Sequence, residues 1–266
     1  MNKIDQLFQA KKENILSVYF TAGFPKLNDT ATTIHELERT EVDMIEIGMP
    51  FSDPLADGPT IQRSSEIALE NGMTIKLLFE QLKSVNSRIP LILMGYLNPI
   101  LQYGVEPFCE NASLLGISGI IIPDLPLQEY LENYKVIFEK YNLKNIFLIT
   151  PQTTEERIRL IDKHSNGFIY MVSSASTTGG KNEIDIEQEQ YFKRIKEMNL
   201  NSPTVIGFGI HNQQTFLKAC DYANGAIIGS AFIKSIEKSE DLKKDIAGFV
   251  NSILKEQLAN ADSLSR

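Results

Sequence analysis

With 266 residues, 42% of them apolar, the chain has material for one large domain or two small ones, and its net charge of -8 is spread along mixed-sign segments. There is no basic stripe to engage nucleic acid, and no apolar run reaches the roughly 20 residues of a membrane span or forms the core of a signal peptide. His35, His164 and His211 lie far apart and Cys109 and Cys220 lack metal-ligand spacing, so the expectation is a cytoplasmic protein with reduced thiols and no metal site.

Residues 2–13 read as a leading helix, with Ile4, Leu7 and Phe8 at helical spacing. Eight apolar runs of strand length follow, at 15–20, 42–47, 90–94, 117–122, 145–149, 167–172, 204–206 and 226–228. Amphipathic stretches separate them near 29–40, 61–84, 104–115, 126–141, 154–164, 186–198 and 212–221, and another at 239–258 closes the pattern. Asn71 and Gly72 divide the 61–84 stretch into two helices. This alternation is that of a (β/α)8 TIM barrel with an extra N-terminal helix, spanning 1–266 as a single domain with a frayed tail at 259–266. A doubly wound open sheet is the competing arrangement.

In such a barrel the segments after each strand share one face, where the chemistry sits. The segment after the second strand stands out. Strands buried on both faces read as unbroken apolar runs, yet Glu46 interrupts one among Met44, Ile45 and Ile47. Two readings are open: an ion pair at a strand end, or a desolvated acid whose pKa rises toward neutrality, where a carboxyl both gives and takes protons. The loop that follows carries Asp53 and Asp57 among Pro50, Pro54 and Pro59, which restrict the backbone, and Gly48 and Gly58, which permit unusual turns. Gly-containing turns after the last three strands, at Gly179, Gly209 and Gly229-Ser230, suit a phosphate, with residues 230–236 as a short helix behind them. Each glycine alone also fits a plain turn. Lys181 and His211 lie close by in sequence, as anion contacts or as ordinary loop residues.

The run EIGMPFSDPLADGPTIQ (46–62) closely resembles the signature of the tryptophan synthase alpha subunit family, and VYFTAGFP, PDLP, GFGI and GSA follow in that family's order. The resemblance covers nearly the whole chain. It implies a (β/α)8 lyase that cleaves indole-3-glycerol phosphate to indole and glyceraldehyde 3-phosphate in tryptophan biosynthesis. It implies Glu46 and Asp57 as catalytic acids and Tyr170 beside the substrate. It further implies Thr178, Gly179, Gly209, Gly229 and Ser230 at the phosphate turns, and Tyr19 and Phe208 lining the indole pocket. The partner implied is a beta subunit in an alpha2beta2 heterotetramer, with pyridoxal phosphate in that subunit and no cofactor in this chain. Asp53, Leu55 and Asn98 are the implied partner contacts. One departure stands out: after the sixth strand, Ser174 and Ser176 replace an Arg and a Gly of the family pattern in the loop 173–185 that closes over substrate.

The residues allow a specific chemistry. Protonation of the indole ring at C3 makes the ring its own electron sink, so neither a Schiff-base lysine nor a metal is required. Glu46 would protonate C3 and take the hydroxyl proton, and Asp57 would hold the indole N–H as positive charge develops. Other readings are a free-standing indole-releasing lyase, a catalytically weak regulatory subunit, and another phosphate-binding barrel isomerase.

Overall fold

A computed structural model describes residues 1–173, 186–207 and 209–263, with side chains described through residue 254. Eight parallel strands close into a barrel in sequence order. They are β1 (Ile15–Thr21), β2 (Met44–Gly48), β3 (Leu91–Met94), β4 (Ile117–Ile121), β5 (Lys144–Ile149), β6 (Ile169–Val172), β7 (Thr204–Gly207) and β8 (Gly225–Ile228). Closure through β1 and β8 sets Ile15 opposite Gly225 and Val18 opposite Ile228. The open-sheet alternative is thereby excluded.

Around the barrel run α1 (Lys3–Ala10), α2 (Asp29–Glu38), α3 (Pro59–Glu70), α4 (Ile75–Leu82), α5 (Leu97–Tyr103), α6 (Val105–Leu114) and α7 (Leu127–Glu129). A π-helical turn, Tyr130–Tyr134, leads into α8 (Lys135–Lys140), and α9 (Glu155–His164), α10 (Ile186–Glu197), α11 (Gln213–Cys220), α12 (Ser230–Ile236) and α13 (Leu242–Ser263) follow. The stretch at 61–84 is two helices, as Asn71 and Gly72 suggest. The 126–141 stretch is helical throughout but contains the π turn. Helix α5 occupies a stretch between the third strand and the 104–115 helix to which the sequence pattern assigns no element; it holds Pro99, which is tolerated in a first helical turn. Asn98 therefore stands on a helix rather than a loop.

Helix α1 stoppers the N-terminal end of the barrel. Asn2 caps it, accepting from the Ile4 N–H at 2.9 Å, while its own amide donates to the Ser118 and Asn142 carbonyls at 2.8 Å each. Ile4 is fully enclosed, and the Phe8 ring packs 5.8 Å from Phe168. Water is thus kept from the barrel interior at this end, and access to the interior is left to the opposite end, where the strands run out into loops.

The seam between β1 and β8 is tight. A Cβ on Gly225 would overlap the Ile15 carbonyl oxygen and crowd the Ile15 Cβ. Gly225→Ala should therefore force the seam apart and cost about 3 kcal/mol or more, read as a fall in the urea midpoint of unfolding at unchanged slope.

Candidate active site

Side chains alternate along a strand, so in β2 Met44, Glu46 and Gly48 share one face and Ile45 and Ile47 the other. The register sets Glu46 beside Tyr19 of β1 and Ile92 of β3. The Tyr19 ring lies across Gly48, where any Cβ would overlap the phenol oxygen. Tyr170 of β6 covers Gly207 of β7 in the same way. Strands β2 and β6 are on opposite sides of the barrel, yet Glu46, Asp57 and Tyr19 all disfavour ionisation of the Tyr170 phenol. These groups face one another across the barrel interior.

Glu46 has no solvent exposure. Its Oε1 accepts a 2.8 Å hydrogen bond from the buried Ser17 hydroxyl, and its buried Oε2 has no partner among the described residues. Among the described residues no cation offsets its burial, which favours the desolvated-acid reading over a strand-end ion pair. Burial pushes the carboxyl up to about 8, against the opposing pull of the Ser17 hydroxyl.

Asp57 belongs to the loop between β2 and α3 and is 8% exposed. Its N–H donates to the Pro54 carbonyl at 3.0 Å, and the Gln62 side-chain amide donates to its carbonyl at 2.9 Å. The Tyr96 hydroxyl donates to Asp57 Oδ2 at 3.1 Å while accepting from the Ala56 N–H at 2.9 Å. The Phe51 ring packs 5.2 Å from Tyr96, so loop, phenol and carboxylate hold one another in place. Burial raises Asp57 to about 6, with the Tyr96 hydrogen bond working the other way.

The turns after β7 and β8 lie side by side because those strands pair. Gly209 holds a φ of +76°, a left-handed conformation that favours glycine. Gly229 immediately precedes α12, and Ser230 opens that helix with its side chain toward solvent. His211 Nδ1 is 2.9 Å from the Gly209 carbonyl, which occupies it within its own turn. Thr178, Gly179, Lys181, Ser174, Ser176 and Phe208 lie outside the described residues. Asp53, Leu55 and Asn98 are all exposed, Leu55 to 91%.

Two residues at the site went unnoticed in the sequence. Ser17 left a signal, as a hydroxyl inside the apolar run 15–20; Tyr96 left one too, as an aromatic directly after β3. Among the described residues, no group of three His, Cys, Asp or Glu could hold a metal, and no helix is long and apolar enough to cross a membrane. A cavity of about 300 Å³ beside the 122–127 segment, lined also by Phe147 and Arg157, contains neither acid. The candidate site is therefore located by its buried acids rather than by this cavity.

Known proteins resemble the chain closely. The sequence profile of the tryptophan synthase alpha chain family matches residues 6–261. A tryptophan synthase alpha chain of Flavobacterium psychrophilum is 62% identical over 255 residues, 95% of this chain and 100% of that one. The corresponding chain of Bacteroides thetaiotaomicron is 52% identical over 248 residues, 92% and 97% of the two chains. The crystal structure of tryptophan synthase subunit alpha from Legionella pneumophila superposes with a TM-score of 0.86 at 32% identity, covering 98% of this chain and 99% of that one.

A carboxyl raised to about 8 in the folded state, from an ordinary 4.5, binds its proton more tightly there than in the unfolded chain. Its contribution to stability is thus complete below pH 4.5 and is lost as the pH rises through about 8. Glu46→Gln removes this dependence. Its unfolding free energy relative to the parent should climb between pH 5 and 9 by on the order of a few kcal/mol, measured by urea titration at several pH values. A difference that stays flat with pH would show that the carboxyl is not held proton-bearing.

Proposed function

Because this chain belongs to the tryptophan synthase alpha chain family, we propose that Glu46 and Asp57 are the pair with which it performs that family's lyase reaction. The reaction converts indole-3-glycerol phosphate to indole and glyceraldehyde 3-phosphate, the alpha subunit's step in tryptophan biosynthesis. The observation that carries the assignment is two buried acids with different proton affinities, Glu46 at about 8 and Asp57 at about 6, facing one barrel interior.

At neutral pH Glu46 is protonated and Asp57 ionised. Glu46 delivers its proton to C3 of the indole ring, and the ring becomes an indoleninium whose positive charge rests on nitrogen. Asp57 accepts a hydrogen bond from that N–H and stabilises the charge. The Glu46 carboxylate then takes the proton of the side-chain hydroxyl. As the C=O of the aldehyde forms, the bond from C3 to the side chain breaks and its electrons return to the ring. Indole leaves with its nitrogen proton in place, and Glu46 is again protonated. The dry barrel interior makes Glu46 reluctant to ionise, which keeps it an acid at the first step and a strong enough base at the second.

In this reading Tyr19 and Tyr170 flank the ring, with Phe208 a further member of that pocket. Gly179, Gly209, Gly229, Ser230 and Thr178 receive the phosphate. Family membership implies a beta-subunit partner. The finer proposal is an alpha2beta2 assembly in the cytoplasm, with Asp53, Leu55 and Asn98 at the contact and pyridoxal phosphate in the beta subunit alone. Leu55 lies on the loop that carries Asp57 and is 91% exposed, so it is free to make such a contact.

The kcat/KM profile should be bell-shaped, falling below about pH 6 as Asp57 protonates and above about pH 8 as Glu46 ionises. Asp57→Asn should lose the acid limb and about a hundredfold or more in kcat. Glu46→Gln should lower kcat about a thousandfold while still binding glyceraldehyde 3-phosphate, and ordinary turnover in that variant removes Glu46 from the mechanism. For the phosphate turns, Gly229→Asp should abolish glyceraldehyde 3-phosphate binding in calorimetry through its charge. Gly229→Ala, which adds only a Cβ 3.3 Å from the Tyr19 ring, should retain it.

A further inference from the structure

The two oxygens of the Glu46 carboxyl differ in their surroundings. Oε1 is engaged by the Ser17 hydroxyl at 2.8 Å, whereas Oε2 is equally buried and has no partner among the described residues. An orphaned buried oxygen costs free energy and calls for a reason. Ser17 stands opposite Met44 in the β1–β2 register, and Tyr19 opposite Glu46, so Ser17 lies two residues nearer the stoppered end than Glu46's own neighbour. The hydrogen bond therefore reaches down the barrel, holding one oxygen toward the deeper layer.

We propose that Ser17 is a positioning residue for Glu46: its hydroxyl fixes Oε1 in the deeper layer so that Oε2 is the oxygen that passes the proton to and from the substrate. The inference rests on Glu46 being the acid of the lyase reaction and adds which oxygen acts and what orients it. Ser17 touches no reacting atom. A single hydroxyl suffices for the task because it also donates to the carboxylate formed midway through the reaction, stabilising the base form without introducing a charge. An alanine would leave both oxygens orphaned and the carboxyl free to rotate.

The test compares Ser17→Ala and Ser17→Thr with the parent chain, assayed with the beta subunit present, and includes an infrared titration of the Glu46 carboxyl with Glu46→Gln as the spectral blank. Ser17→Ala should raise the alkaline limb of kcat/KM, and the infrared midpoint with it, by about one pH unit. It should lower kcat about tenfold with KM nearly unchanged, and Ser17→Thr, which keeps a hydroxyl, should restore most of both. An Ala variant whose alkaline limb, infrared midpoint and kcat stay where they were overturns the proposal. A fall in kcat with no movement of the infrared midpoint overturns it as well, since that marks a general packing defect. If Glu46→Gln itself turns over normally, the lyase assignment of Glu46 fails first; an inactive Glu46→Gln with an unaltered Ser17→Ala removes the Ser17 role alone.

Discussion

A carboxyl group removed from water is the constraint on which the rest of the site depends. In a low-dielectric interior the ionised form of Glu46 loses its hydration, and among the described residues no cation replaces it. The barrel supplies that interior because its strands close on themselves, and helix α1 seals the end away from the loops with Asn2, Ile4 and Phe8. The neighbours are consistent with this requirement. Tyr19 and Tyr170 lie across Gly48 and Gly207, which brings their rings into the interior that Glu46 faces. Ser17 provides the one polar contact to Glu46 among the described residues.

The two acids are held by different means. Glu46 sits in a strand with paired neighbours on both sides, which fixes its backbone through the sheet. Asp57 sits on a loop and needs its own support, which comes from Tyr96, Pro54, Gln62 and the packing of Phe51. Partial burial of Asp57 raises its pKa less than complete burial raises that of Glu46, so one environment favours a neutral acid and the other an anion at the same pH. The placement also joins the chemistry to the surface. The loop that carries Asp57 carries Leu55 as well, two residues away and almost wholly exposed.

Much of the architecture was legible because periodicity is a local property. Eight apolar runs spaced by amphipathic stretches specify strands, helices and their parallel order, and the strands of the barrel fall on those runs to within two residues at each end. The exceptions have local causes of their own. Val42 was read into β2, which begins at Met44, and α5, only seven residues long with Pro99 inside it, was not assigned. The acid inside β2 and the proline-rich loop after it were also visible, since a carboxylate in an apolar run violates the expectation for a strand buried on both faces.

By itself the sequence determined the order of the strands and of most helices, the acid in the second strand and the acidic, proline-rich loop after it. Only the tertiary structure decided what each acid meets. Ser17 and Glu46 are separated by 29 residues, and Tyr96 and Asp57 by 39, so neither pairing leaves a trace in local spacing. The first follows from the register in which β1 and β2 align, the second from the adjacency of β2 and β3 that brings the segments after them together, and both are set when the whole barrel closes. The same closure turned an ambiguous strand glutamate into a dry one, because burial is a sum over contributions from strands far apart in the chain.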